Sequence, residues 1–277
     1  MKCFYHSTDA DGCSSGALVK IYHPDCEMIG ITYGEDFPWD IITDKDETIY
    51  MVDFSLQPFN DMIRLNELCN LYWIDHHKTA IEEYEKNAII PIKGLRQIGT
   101  GACALVYKLF NNKEILPTFI SLLSEYDVWD NSDPRTLPFQ YGIKRYNTDP
   151  NNIDFWCSLF DTELVQRIVE EGFIIIEYQQ EKDEKFIKTH SFETELDGYR
   201  CIAVNKMNTS SLLFKSIWDT DKYDIMLAFG YFNKQWTVSL YTDKKNIDVS
   251  KIAKKMGGGG HAQASGFSIK ELPFKLK

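Results

Sequence analysis

His6-Ser7-Thr8-Asp9-Ala10-Asp11-Gly12 is the stretch that decides how this chain reads. A largely apolar run, Lys2 to Tyr5, leads into it, and a small-residue run, Gly12 to Ala17, leaves it with helical spacing. The pattern predicts a strand, a tight turn and a helix. At the carboxyl end of a parallel strand, side chains converge where open α/β sheets place their sites. One imidazole and two carboxylates in such a turn suit a divalent cation with oxygen and nitrogen ligands, such as manganese. The same residues also suit an Asx-rich turn capping a helix. These seven residues alone leave both readings open, because short patterns recur by chance.

The pattern repeats downstream. Thr48 to Val52 reads as a strand ending in Asp53-Phe54-Ser55, and Leu71 to Ile74 as one ending in Asp75-His76-His77-Lys78. A helical run, Ile115 to Leu123, ends in Ser124-Glu125-Tyr126-Asp127-Val128-Trp129. If the strands are parallel neighbours, their carboxyl ends lie side by side. Asp9, Asp11, Asp53, Asp75 and Asp127 would then repel one another, and carboxylates crowded at low dielectric take up protons or hold cations.

The expected fold class is α/β. Further strands read at Glu27 to Tyr33 and Ile89 to Ile92, and Gly99-Thr100-Gly101 opens a helix from Ala102 to Phe110. Alternating strands and helices imply a parallel sheet with helices on both faces. Thr162 to about Lys188 reads as a connector helix with the stripe Leu164, Val165, Ile168, Gly172, Ile175 and Ile176. Beyond it, strands at Phe192 to Leu196, Tyr199 to Val204, Tyr223 to Tyr231 and Trp236 to Tyr241 form a smaller α/β domain with a mixed sheet. Helical pieces at Ser210 to Trp218 and Asp248 to Met256 intervene. The domains are expected at 1–188 and 189–277.

With 277 residues and 44% hydrophobic content, a sizeable core is available. Seven scattered cysteines without CxxC read as reduced thiols. No apolar run approaches the roughly 20 residues that cross a bilayer, and His6 and Asp9 interrupt any signal-peptide core. The expectation is a cytoplasmic protein with no membrane partner. A net charge of −11 argues against gripping long duplex DNA through phosphates and suits a small anionic substrate. His23 and His190 have no sequence partners and read as surface residues.

In order along the chain, His-x2-Asp-x-Asp-Gly, Val-Asp-Phe-Ser, Asp-His-His and Tyr-Asp-Val-Trp resemble the four motifs of the DHH phosphoesterase superfamily, in its oligoribonuclease-like subgroup. Gly257-Gly258-Gly259-Gly260-His261-Ala262-Gln263-Ala264-Ser265-Gly266-Phe267 resembles the glycine-rich signature of its DHH-associated C-terminal domain. The resemblance implies a pair of divalent ions, with manganese preferred over magnesium for mixed imidazole and carboxylate ligation. On this sequence, His6, Asp9 and Asp53 would hold one ion, and Asp11, Asp53, His76 and Asp127 the other. Two such cations can activate a shared water and steady both attacking and leaving oxygens of a phosphodiester.

His77 is assigned to that water or to a phosphate oxygen, and Asp75 to orienting an imidazole. Asp248 reads as a helix N-cap and Gly257 as the C-cap. Gly258, Gly259, Gly260, His261 and Ser265 read as an anion-contacting loop, which in the resembled family meets the terminal phosphate or nucleotide, with the second lobe closing over the site. Many relatives carry an arginine on the preceding strand, whereas Thr237 to Thr242 has none. Tyr241 stands about there, and Arg145 beside Lys144 is a substitute cation.

The expected function is a metal-dependent phosphodiesterase, exonucleolytic on short single-stranded oligonucleotides (nano-RNA or linear dinucleotides), releasing mononucleotides. The alternatives are a phosphatase acting on nucleotide 3′-phosphate, pyrophosphate or polyphosphate, and a non-catalytic nucleotide-binding protein.

Overall fold

Side-chain alternation along short strands builds the N-terminal core in the computed structural model, which describes residues 1–87 and 90–276. β1 (Lys2–His6) lies between β2 (Glu27–Ile31) and β3 (Thr48–Val52), and β3 pairs with β4 (Asn70–Ile74). The sheet order is β2-β1-β3-β4, parallel throughout. Cys3, Tyr50, Val52 and Ile74 face one side, while Phe4, Ile49, Met51, Leu71 and Trp73 face the other. α1 (Ala10–Tyr22), α4 (Ala102–Asn111) and α5 (Thr118–Asp127) cover the first face, and α2 (Asn60–Leu68) and α3 (Lys78–Asn87) the second. A parallel sheet buried on both faces in this way makes the fold α/β. α6 (Thr136–Gly142), α7 (Ile153–Ser158) and α8 (Thr162–His190) follow.

Some boundaries differ from the sequence reading for local reasons. β2 stops at Ile31, ahead of a turn in which Gly34 has φ +93°. α5 begins at Thr118 rather than Ile115, since Pro117 bars Leu116 from helical backbone. The strand expected at Ile89 to Ile92 has Ile89 outside the described residues, and Ile90 to Ile92 form none; Lys93 makes an isolated bridge to Tyr72. His23 is not a bare surface residue: its ring stacks on Tyr50, whose hydroxyl lies 3.1 Å from Nε2.

The compact units are Met1–Ile176 and Glu177–Lys277, so α8 crosses the division. Val165, Ile168 and Val169 join the N-terminal core, whereas Ile187 is buried in the C-terminal one. The division expected at 188/189 assigned the whole helix to the first domain; packing apportions it.

The C-terminal unit contains β5 (Ser191–Leu196), β6 (Tyr199–Asn205), β7 (Ile225–Phe232), β8 (Gln235–Tyr241), α9 (Val249–Lys255), β9 (Gly259–Gly260) and β10 (Ala264–Ile269). Its mixed sheet has the order β5-β6-β7-β8-β10-β9, with β6 and β7 parallel and the other pairs antiparallel. α9 packs on one face, and the segment carrying Leu213 and Phe214 on the other. That segment, expected as a helix from Ser210 to Trp218, is a single 3-10 turn, Ser211–Phe214. All seven cysteines are free, and among the described residues no helix is long and apolar enough to cross a membrane.

Within the N-terminal unit, α8 meets α6 backbone to backbone. A Cβ at Gly172 would stand 1.7 Å from the Pro138 carbonyl oxygen, and one at Gly142 would stand 2.0 Å from that of Ile168. Gly172→Ala is expected to destabilise this unit by ~1–3 kcal/mol, the usual range for overpacking. Chemical denaturation checks it against Phe173→Ala at an exposed neighbour, and unchanged stability of the Gly172 variant would contradict this packing.

Candidate metal centre

Asp9 caps the helix that the opening motif starts, α1, with Oδ1 accepting from the Gly12 amide at 2.8 Å. Its other oxygen, Oδ2, faces His6 Nδ1 at 2.8 Å. Gly12 is required at the turn, because a Cβ there would lie 2.1 Å from the His6 carbonyl oxygen. His6 Nε2 is occupied by the Thr8 hydroxyl at 2.8 Å, which turns Nδ1 toward the carboxylates.

Asp53 follows β3 with left-handed backbone, φ +54°, and is 1% exposed. Its Oδ2 is 3.7 Å from His6 Nδ1, and its Oδ1 is 3.2 Å from His76 Nε2. Asp127, the last residue of α5, brings Oδ2 to 2.9 Å from His76 Nε2. Asp11 lies in the first turn of α1, and its carboxylate accepts from the Ala102 and Cys103 amides at 2.6 and 2.9 Å. The ligand atoms of His6, Asp9 and Asp53 fall within 4.8 Å of one another, as do those of Asp11, Asp53, His76 and Asp127. The structure therefore assembles two overlapping groups that share Asp53.

Asp75 is fully buried beside them and differs in its partners. Its Oδ1 accepts from the His76 amide, the His77 amide and His77 Nδ1, at 2.7, 3.2 and 2.7 Å. Its Oδ2 accepts from Trp73 Nε1 at 3.2 Å. Although it also falls within a group with Asp53, His76 and His77, these donors leave it placed to orient His77 rather than to ligate.

The donor set passes a direct test of fit to a cation. His6 Nδ1, His76 Nε2 and Asp53 Oδ1 are buried with no aligned hydrogen-bond partner despite their short separations. Ligand-type atoms gathered within 4.8 Å of one another without aligned hydrogen bonds suit coordination, and buried polar atoms otherwise carry a desolvation cost. Imidazole nitrogen with several carboxylates fits a divalent transition metal such as manganese.

Electrostatics points the same way. Burial pushes the Asp11 carboxyl well up, and Asp53 and Asp127 add to it. Burial raises Asp53 too, against the pull of His6 and His76. Burial opposes charge on the imidazoles, yet Asp127 and Asp53 push His76 up to about 12, and Asp53 and Asp9 push His6 up to about 10. Asp75 outweighs burial at His77 and pushes it up to about 9, while His77 holds Asp75 below the usual carboxylate range despite its burial.

Sequence reading missed several supports. Gly99-Thr100-Gly101 signals a helix start, but the structure shows why glycine stands at 101. A Cβ there would lie 2.8 Å from Ser124 Cα and 3.1 Å from Asp11 Oδ1, where the α4 amides hold Asp11. Trp129, just past Asp127, has φ +60°, rare for a bulky residue, and strain of this kind gathers at functional sites. Arg145 is already neutralised by Glu171 at 2.9 Å, which weakens it as an anion contact.

In the C-terminal unit, Asp248 caps α9 through the Ser250 amide, and Gly257 follows it with φ +82°. Ser265 pairs opposite Gly260 and Ala264 opposite Tyr241, so the glycine loop and Tyr241 belong to one sheet. The amides of Gly258 and His261 donate to the Ala253 and Ala264 carbonyls, at 2.9 and 2.7 Å, so those two are not available to an anion. A Cβ at Gly258 would come within 2.1 Å of the Gly266 carbonyl oxygen, which gives that glycine a packing reason. Ser265 Oγ is buried without a hydrogen-bond partner, and the Tyr241 hydroxyl donates to the Thr209 carbonyl at 2.8 Å.

Two outcomes are expected. Gly101→Ala should displace Asp11 and weaken manganese binding, with circular dichroism unchanged; unchanged manganese affinity contradicts the role given to the α4 amides. Because the raised imidazoles carry protons at neutral pH in the ion-free protein, ligation must expel them, so manganese affinity should rise with pH. Calorimetry at neutral pH in buffers of different ionisation enthalpy should show net proton release, and the absence of any release counts against His6 and His76 as ligands.

Residues 206–276 match the DHHA1 domain. The uncharacterized protein R106 of Acanthamoeba polyphaga mimivirus is 27% identical over 248 residues, 83% of this chain and 56% of that one. Oligoribonuclease NrnB of Bacillus subtilis is 27% identical over 263 residues, 84% of this chain and 62% of that one. The chain thus matches over 56% and 62% of the length of these relatives. An exopolyphosphatase-related protein from Bacteroides fragilis shares the fold at TM-score 0.53 and 15% identity, covering 98% of this chain and 87% of that one. A pGpG-specific phosphodiesterase, PggH, from a Vibrio does so at TM-score 0.51 and 12% identity, covering 97% and 92%. With a DHHA1 match over residues 206–276, the chain carries a DHHA1 domain at its carboxyl end, and the Asp75-His76-His77 tripeptide closes β4 in the unit before it.

Proposed function

We propose that this protein is a phosphodiesterase, dependent on two divalent metal ions, that hydrolyses short oligonucleotides to mononucleotides from a chain end. The observation that carries the reading is the pair of ligand groups sharing Asp53: His6, Asp9 and Asp53, with Asp11, Asp53, His76 and Asp127. The ligands are manganese-type, and the relative named an oligoribonuclease supports a short oligonucleotide as substrate.

When bound, a pair of divalent ions supplies Lewis acidity to the phosphate and a hydroxide at neutral pH. The protein's own groups do the rest. Asp53 spans the two groups and sets their spacing. The α4 amides hold Asp11, and Asp75 fixes His77 through Nδ1, leaving Nε2 to serve a phosphate oxygen or the departing oxygen. In the C-terminal unit, Gly259, Gly260 and Ser265 are assigned to a substrate phosphate, with the Tyr241 ring in their sheet. An acidic chain of net charge −11 suits a short substrate gripped locally rather than a long duplex.

Asp53→Ala is expected to abolish hydrolysis of a short RNA by the manganese-loaded protein while the circular dichroism spectrum stays native. His77→Ala is expected to lower kcat by ~10²–10⁴-fold, the usual contribution of a proton-transferring side chain. A panel of five-residue RNA, linear dinucleotide, nucleoside 3′-phosphate, pyrophosphate and polyphosphate completes the test. Turnover of pyrophosphate or polyphosphate alone would sink the nuclease reading.

A further inference from the structure

We infer that Tyr33 is a stacking platform for the nucleobase of the nucleotide whose phosphate reaches the ligand groups; the inference rests on the function proposed above and specifies the substrate class of that site. Tyr33 lies in the turn after β2. Its ring stacks on Phe54 with 4.3 Å between centroids and 26° between planes. It meets the His6 ring edge-on at 5.6 Å and 65°. Its hydroxyl is held against Ser55. Phe54 and Ser55 directly follow Asp53 and are themselves buried, so the ring is fastened to the segments that carry His6 and Asp53.

Even so, Tyr33 is 46% exposed. A scattered exposed aromatic needs no explanation. This one is different in being fixed in orientation, closed on one side by Phe54, and set beside a ligand imidazole. Tyrosine offers a rigid, amphipathic contact surface at low entropic cost, and every base has a π-face to lay on it. Phosphate chains have no such face. The platform therefore selects base-bearing substrates over pyrophosphate or polyphosphate, and it tolerates any base. The neighbouring Gly34, with φ +93° and no atom within 4 Å of its would-be Cβ, adds no side chain to crowd the ring.

The test measures binding, independently of turnover. Calorimetry of the manganese-loaded protein compares AMP with ribose 5-phosphate, which keeps sugar and phosphate but lacks the base. The wild type should prefer AMP by about tenfold or more, the worth of one base–aromatic stack. Tyr33→Ala and Tyr33→Leu should erase that preference, Leu still packing on Phe54, while Tyr33→Phe should keep it. In turnover, KM for a dinucleotide should rise about tenfold in Tyr33→Leu, more than kcat falls. A wild type with no preference for AMP, or variants that keep it or weaken both ligands equally, would overturn the platform. AMP binding through Tyr33 without oligonucleotide hydrolysis would instead refute the phosphodiesterase reading and leave the platform standing.

Discussion

The carboxylate of Asp53 is the constraint on which the N-terminal unit's chemistry depends. It is almost fully buried, sits in left-handed backbone and faces imidazoles on two sides. A buried carboxylate among other carboxylates is unstable as an anion unless positive charge compensates it. His6 and His76, both pushed well above the usual imidazole range, supply that positive charge beside it. The turns that follow β1, β3 and β4 and the end of α5 are organised around this one demand.

The scaffold holds the candidate ligands with contacts of its own. Amides at the start of α4 hold Asp11, which requires a glycine at 101. The Trp73 indole and two backbone amides hold Asp75, which in turn holds His77. Such outer contacts matter because loosely held ligands lose affinity and spacing, and a site loose by an ångström is present without being effective. The DHHA1 domain rests on the match over residues 206–276, and the fold on the topology shared with solved structures. The C-terminal unit's glycine run divides its duties: Gly257 ends a helix, Gly258 admits a close backbone, and Gly259 and Gly260 form a short edge strand.

Much of this was legible in the sequence because it is local. The near-continuous apolar run Ile49 to Val52 marks a strand buried on both faces and the helical spacing in Thr162 to Lys188 a long helix, and both elements lie where the pattern predicts. The candidate ligand residues stand out in the sequence because they cluster where apolar strand or helix runs end. Boundaries were less legible: Pro117 shifts the start of α5 and the Gly34 turn shortens β2. The division inside α8 was invisible, since a helix shows its apolar stripe but not which core receives each half.

The sequence by itself determined the order of elements, the acidic and imidazole groups at strand ends, and the family they resemble, because each depends on near neighbours in the chain. Only tertiary structure decided that amides 91 and 92 residues away hold Asp11, that Glu171 engages Arg145, and that the half-exposed Tyr33 ring lies on Phe54. Those facts depend on the register of parallel strands and the docking of helices, and short-range pattern carries no record of distances between residues remote in sequence.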